Sequence, residues 1–260
     1  MKTNLYSKAY RFNALEYVTE QLQMTPWKGA TNCTCNGGEP HSHPGQVEVL
    51  QSFDNIMRKQ HERSLFRAGL LTADQLTVYT PDETIPMEIQ IAGGNSTGKN
   101  SLAEMLINYF FDVFAPSMTT VCGMYETNMV NHPIVAGIRK TRLQPGLPGQ
   151  VFHREIRGVY SGVDKHSIRT LACSSSRECV QGMHSPWQLI VIPEAEGFSV
   201  EFLPVLRSWL QGNQGVILQL ANPLLDYSWF HTLQFNPGVK RFTLDARFHP
   251  NVVEGTERLQ

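Results

Sequence analysis

Three stretches carry residue types suited to phosphate chemistry. "GGNSTGK", from Gly93 to Lys99, has the G-x-x-x-x-G-K order of a phosphate-binding loop, with Gly94, Asn95, Ser96 and Thr97 between the two outer glycines, Gly93 and Gly98. In such a loop the backbone N–H groups at a helix N-terminus bind phosphate oxygens, and the lysine ammonium reaches the outer phosphates. The hydroxyl residue that would ligate Mg2+ is replaced by Asn100, whose amide oxygen is an unusual ligand for a hard cation. Ser101 stands about 100° further around a helix and does not substitute simply. The second stretch, "LIVIPEAEGF", is an apolar run followed by Glu194 and Glu196. A carboxylate at such a strand end, beside a phosphate loop, can hold magnesium and activate water. Pro193 stands where a preceding carboxylate is expected, so Glu194 remains as the candidate general base and weak metal ligand. The third, "VILQLANPLLDYSWF", ends its apolar run in Ala-Asn-Pro, and the amide of Asn222 could sense a terminal phosphate. Each has a plain alternative: a ligand-free glycine loop, a solvated acidic residue, and an Asn-Pro turn.

A different chemistry is raised by "CTCNGGEPHSHP". Cys33, Cys35, His41 and His43 offer thiol and imidazole groups, the ligands zinc prefers. The C-x-C and H-x-H spacings depart from the common zinc motifs, and a polar loop rich in Gly and Pro is the reading they favour. Cys173 and Cys179, in "ACSSSRECV", have no metal-ligating partner nearby in the sequence.

The elements around the glycine loop support its phosphate reading over a chance match. "MEIQIAGG" alternates apolar and polar residues and runs into glycines, as a strand feeding a tight turn does. After the loop, Leu102, Met105, Leu106, Tyr109, Phe110, Val113 and Phe114 recur at three- and four-residue intervals, which predicts an amphipathic helix ending before Pro116. Strand, glycine loop and helix form the context in which the motif has a mechanism. Further strands are expected at 119–124, 167–174, 188–192, 215–221 and 239–246. Several are nearly uniform in Val, Ile and Leu, which suits strands buried on both faces of a parallel sheet. Helices are expected within residues 1–26, from Gln46 to Phe66, and in "EFLPVLRSWLQ". This alternation predicts an α/β layered domain. Residues 1–40 read as a helical arm and polar loop, and 41–260 as the main domain.

Composition narrows the partners. The chain has 260 residues and a formal net charge of −1, so any contact with nucleic acid must use a local patch. "GIRKTR", with Arg139, Lys140 and Arg142, is the densest basic cluster, although a solvated basic loop is an equal reading. No apolar run is long enough for a membrane span, and the N-terminus lacks the apolar stretch of a secretory signal, which favours an intracellular, cytoplasmic protein.

Taken in order, "HPGQVEVLQSF", "IAGGNSTGKNS", "HREIRGVYSG", "QGMHSPWQLIVIPEAEGF", "ILQLANPLLDYSWFH" and "FTLDARFHPNVVEG" resemble the large terminase subunits of tailed bacteriophages, ATPases that pump DNA into empty capsids. The resemblance runs over about residues 40 to 255. It implies a P-loop NTPase fold: a three-layer α/β sandwich with a mainly parallel sheet and helices on both faces. ATP and Mg2+ are its implied ligands. Gln46 matches a glutamine that contacts adenine. The segment Gly93 to Ser101 matches the phosphate loop. Glu194 matches the carboxylate that activates water, and Asn222 a motif coupling hydrolysis to movement. Implied partners are double-stranded DNA, the capsid portal and the small terminase subunit, with a homo-oligomer assembled on the portal. An arginine finger is expected in cis or from a neighbour, with Arg139, Arg142, Arg154 and Arg157 as candidates.

Two departures fall on the implied magnesium shell: Asn100 for Ser or Thr, and Pro193 for an acidic residue. They make nucleotide binding a firmer expectation than fast turnover, and they raise a second reading, a nucleotide-binding or assembly module that has lost hydrolysis. A small-molecule kinase fits less well, because no arginine-rich lid segment is visible. The family's nuclease domain is not expected in this polypeptide, which stops at Gln260.

Overall fold

The apolar runs form a sheet that is buried from both sides. The computed structural model describes residues 9–35, 37, 39–124, 132–151, 155–157, 166–173, 184–223 and 227–253. Its strands are β1 (Ala30–Cys33), β2 (His41–His43), β3 (Glu88–Gly93), β4 (Ser117–Gly123), β5 (Gln150–Val151), β6 (Glu155–Arg157), β7 (Ser167–Ala172), β8 (Trp187–Ile192), β9 (Gln214–Ala221) and β10 (Val239–Leu244). The helices are α1 (Ala14–Glu20), α2 (Gln46–Arg67), α3 (Lys99–Val113), α4 (Pro133–Arg142) and α5 (Leu203–Trp209), with single turns α6 (Trp229–Thr232) and α7 (Pro250–Val253).

The main sheet has the order β10-β3-β9-β8-β4-β7-β6-β5. The strands from β10 to β7 pair in parallel, and β6 and β5 add an antiparallel edge. Successive side chains of a strand point to opposite faces, and here both faces are apolar. Leu189 and Val191 of β8, with Val216, Leu218 and Leu220 of β9, face the larger core shared with α1 to α4. Ile190, Ile192, Ile217 and Ala221 face a smaller core with Phe202, Leu206, Trp209 and Phe230. The result is the expected three-layer arrangement. Residues of the N-terminal segment, Tyr17, Val18 and Trp27, pack in the larger core.

The stretch holding Cys33, Cys35, His41 and His43, expected as a polar loop, contains a two-stranded antiparallel ribbon, β1 with β2. Its strands consist of Ala, Thr, Asn, Cys, His and Ser, so no apolar alternation marks them in the sequence.

Polar groups inside the larger core lock helices together. On α2, the buried Asp54 accepts the Ala14 N–H at the start of α1 at 2.6 Å and the Tyr109 hydroxyl of α3 at 2.7 Å. Burial pushes its carboxyl up to about 7, against the pull of those two donors. Because the native state raises this pKa above the unfolded value, the associated stability is complete below about pH 4 and is lost as pH rises through 7. Asp54→Asn, which keeps an acceptor for Ala14 and a donor toward Tyr109, is expected to remove up to about 1.4 kcal/mol per pH unit from the slope of unfolding free energy across this window. Urea titrations from pH 4 to 7 check this, and equal slopes in the two proteins would contradict it.

Candidate functional site

Three neighbouring parallel strands, β3, β9 and β8, release their C-terminal ends along one edge of the sheet. That edge is where open α/β sheets bind ligands. The ends deliver the glycine loop, Asn222 and Glu194 in that spatial order. Strand spacing of roughly 4.8 Å puts β3 and β8 about 10 Å apart, with β9 between them. A cavity of about 800 Å³ opens there, lined by Asn95, Ser96, Thr97, Gly98, Lys99, Asn100, Ser101, His132, Pro193, Glu194, Glu196, Gly197, Ala221 and Asn222. The structure thus brings together most of the residues singled out in the three sequence stretches. Gly93 and Gly94 lie just behind, their carbonyls accepting from Lys99.

Local conformation explains the loop's composition. Ser96 (φ 59°) and Gly98 (φ 77°) are left-handed on either side of Thr97, an arrangement that turns successive N–H groups toward a common concavity. A Cβ added at Gly98 would stand 2.7 Å from Gln46 Nε2, so conformation and close approach both require glycine. Gln46, the first residue of α2, is buried, and both ends of its amide are engaged. Nε2 donates to the Gly98 carbonyl at 2.9 Å, and Oε1 accepts the Trp27 N–H at 3.2 Å. Gln46 therefore anchors the loop from behind the cavity.

The Lys99 ammonium donates to the Gly93 carbonyl (2.7 Å), the Gly94 carbonyl (2.5 Å) and Asn222 Oδ1 (2.7 Å). Burial lowers its pKa to about 8, which leaves it a cation at neutral pH. The Asn222 Nδ2 donates to Asn95 Oδ1 at 2.8 Å, so β9 is tied to the loop at two points. Asn100 and Ser101 begin α3 with exposed side chains facing the cavity. Pro193 is buried at the end of β8, and Glu194 follows with its side chain 85% exposed.

His132 was not singled out from the sequence. Its Nδ1 accepts the Ile134 N–H at 3.3 Å and caps α4. An accepting Nδ1 places the proton of the neutral ring on Nε2. That nitrogen faces Glu194 Oε1 at 3.8 Å, and burial lowers the histidine pKa, keeping the ring neutral. At 3.8 Å the two groups are neighbours beyond hydrogen-bond distance. A His just before Pro133 is a helix-start signal, but nothing local links it to Glu194.

The basic cluster divides differently from its sequence reading. Arg142 is no DNA contact or arginine finger: it is buried, paired with Asp112 at 2.6 Å, and bonded to the Asn108 side chain and carbonyl at 2.7 and 2.9 Å. Arg139 is half-buried and Lys140 is exposed on α4. Arg154, the Arg157 side chain, Cys179, and Gly182 of the "QGMH" motif lie outside the described residues.

No family model and no curated protein matches the sequence. Among solved structures, the chain is similar to the large terminase of a thermophilic bacteriophage, at 12% identity and a TM-score of 0.52, over 66% of this chain and 44% of that one. It is also similar to the large terminase of bacteriophage HK97 (11%, TM-score 0.49, 82% and 41%) and to the large terminase ATPase domain of a Thermus phage (14%, TM-score 0.47, 68% and 86%). A structure of the thermophilic bacteriophage protein in complex with ADP matches as well (13%, TM-score 0.49, 66% and 44%). This chain spans less than half the length of the whole large terminases it matches. No helix among the described residues is long and apolar enough to cross a membrane. The mainly parallel sheet, with helices on both faces and a glycine loop at its edge, is similar in fold to the large terminase of a thermophilic bacteriophage.

Proposed function

We propose that the chain binds ATP at the edge of β3, β9 and β8 and hydrolyses it as the motor domain of a DNA-packaging machine. One observation carries this reading. Lys99, Asn222 and Glu194, which are distant in sequence, line a single cavity in a geometry set by backbone pairing. Its volume suits a nucleotide. The N–H groups from Asn95 to Ser101 and the Lys99 ammonium take the β- and γ-phosphates, Asn222 contacts the terminal phosphate side, and Glu194 accepts the proton of the attacking water. Gln46, which the resemblance places against adenine, also holds the loop through the Gly98 carbonyl.

Magnesium commonly binds through one or two protein oxygens plus substrate phosphates. The amide oxygen of Asn100 and the carboxylate of Glu194, which both line the cavity, would be those oxygens. The ion would neutralise charge developing on the transferred phosphoryl group. Double-stranded DNA would be met by exposed cations such as Lys140, and assembly with a portal, a small terminase subunit and further copies of the chain follows from the same reading, as does a location in the host cytoplasm.

Hydrolysis measured with and without Mg2+ and double-stranded DNA tests it. DNA-stimulated turnover is expected, with nucleotide affinity reduced at least about tenfold by Lys99→Ala, which removes the cation facing the phosphates. Nucleotide binding through Lys99 without any turnover would instead favour the assembly module, the reading that Asn100 and Pro193 support. Nucleotide binding unaffected by Lys99→Ala would overturn both.

A further inference from the structure

The ribbon of β1 and β2 brings together the four side chains that its sequence spacing obscured. Cys33 ends β1, Cys35 follows in the turn, and His41 and His43 lie two apart on β2, where alternate residues share a face. Cys33 is directly opposite His41 in the pairing register. One ligand atom from each of the four lies within 4.8 Å of all the others. Cys35 Sγ is 3.4 Å from His41 Nε2 and 3.3 Å from His43 Nε2. A tetrahedral zinc with sulfur and nitrogen ligands has ligand–ligand edges of about 3.3–3.8 Å, so these separations need little adjustment to close around an ion.

The outer partners point the same way. Metal-ligating histidines characteristically give their other ring N–H to a carboxylate or a carbonyl oxygen. His43 Nδ1 faces Asp245 Oδ2 at 3.5 Å, and His41 Nδ1 contacts the Glu39 carbonyl at 3.1 Å. Both rings therefore turn Nε2 toward the thiols. Phe248 stacks on the His43 ring at 4.4 Å and fixes its plane.

We propose that Cys33, Cys35, His41 and His43 form a structural zinc site that staples the ribbon to the turn after β10. Two thiolates and two imidazoles in closed tetrahedral array are the ligand set of a structural rather than a catalytic zinc. The site is independent of the nucleotide reading, although it sits on the same scaffold. Asp245 follows Leu244, which is in register with Gly93 of the phosphate loop, and β2 leads through Gly45 into Gln46. Asp245 is a positioning residue in this scheme, holding the His43 tautomer.

The full chain, purified under reducing conditions without chelator, is expected to contain about one zinc per molecule by elemental mass spectrometry. Exchange with Co2+ is expected to give the visible absorption of a tetrahedral, thiolate-ligated ion. The Cys35→Ser/His43→Ala double variant should lose both signals. Ser42→Ala, on the exposed opposite face, should keep both, and Asp245→Asn should weaken zinc affinity about 10–100-fold. If the double variant fails to fold, the wild-type zinc content and cobalt spectrum decide. Wild-type protein that takes up no zinc on titration, a Cys33–Cys35 disulfide under those conditions, or full zinc retention by a folded double variant would overturn the site.

Discussion

Glu194→Gln is expected to slow ATP hydrolysis about 10²–10⁴-fold, the range by which a positioned general base accelerates proton transfer. Nucleotide affinity measured without Mg2+ should stay within about threefold of wild type, because the change leaves the glycine loop and Lys99 alone. The geometry separates the two effects. The glycine loop joins β3 to the start of α3, whereas Glu194 stands two strands away, just after β8. Its side chain is mostly exposed, so the isosteric amide does not disturb the core. Single-turnover hydrolysis beside equilibrium binding of a fluorescent nucleotide measures both quantities. Equal single-turnover rates in a wild-type enzyme that hydrolyses ATP would remove Glu194 from the chemistry.

Arg142→Ala is expected to cost about 3–5 kcal/mol of folding free energy, the range seen when one partner of a buried ion pair is removed. Its guanidinium directs four hydrogen bonds to Asn108 Oδ1, the Asn108 carbonyl, Asp112 Oδ1 and the Pro148 carbonyl, and lies 4.6 Å from the centre of the Phe111 ring. Truncation leaves the Asp112 carboxyl in the core with the Tyr17 hydroxyl as a remaining donor. Burial already pushes that carboxyl's pKa up with Arg142 in place. At about 2–4 °C per kcal/mol for a chain of this size, the melting temperature should fall by roughly 6–20 °C. Arg142→Lys should recover only part of the loss, since a point charge cannot reproduce the planar fork. Thermal and urea unfolding read the effect. A loss below about 1 kcal/mol would mean that the pair is offset by its own desolvation.

The burial of Arg142 also shows where local sequence reading stops. "GIRKTR" reads as a basic loop because three cations are concentrated in it. Yet Ile134, Ile138 and Arg142 are spaced four apart and continue one buried stripe of α4, so the periodicity contained a signal that the charges concealed. The parallel strands of the main sheet were legible for the opposite reason, whereas the short antiparallel edge strands β5 and β6 were not expected. Residues such as Leu189 to Ile192 are apolar without alternation, and only a strand covered on both sides needs that. The tight turn between β3 and α3 was legible because Gly98 answers to local backbone geometry. Two features had no local signature. Insertion of β9 between β3 and β8 is a matter of long-range pairing, and so is the approach of His132, at the start of α4, to Glu194 after β8. The β1–β2 ribbon was hidden because thiols and imidazoles carry no hydrophobic pattern.

The placement of β9 has a consequence for how this chain can change over time. The gap between the lysine's support and the carboxylate's support is spanned by rungs of main-chain hydrogen bonding, whose repeat is indifferent to side-chain identity. Point substitutions at the rim can retune charge and shape, while the separation between the ends of β3 and β8 is held by the lattice itself. Divergence in chemistry can therefore proceed at the loop tips without rebuilding the frame, and a change in the frame requires the insertion or loss of a whole strand.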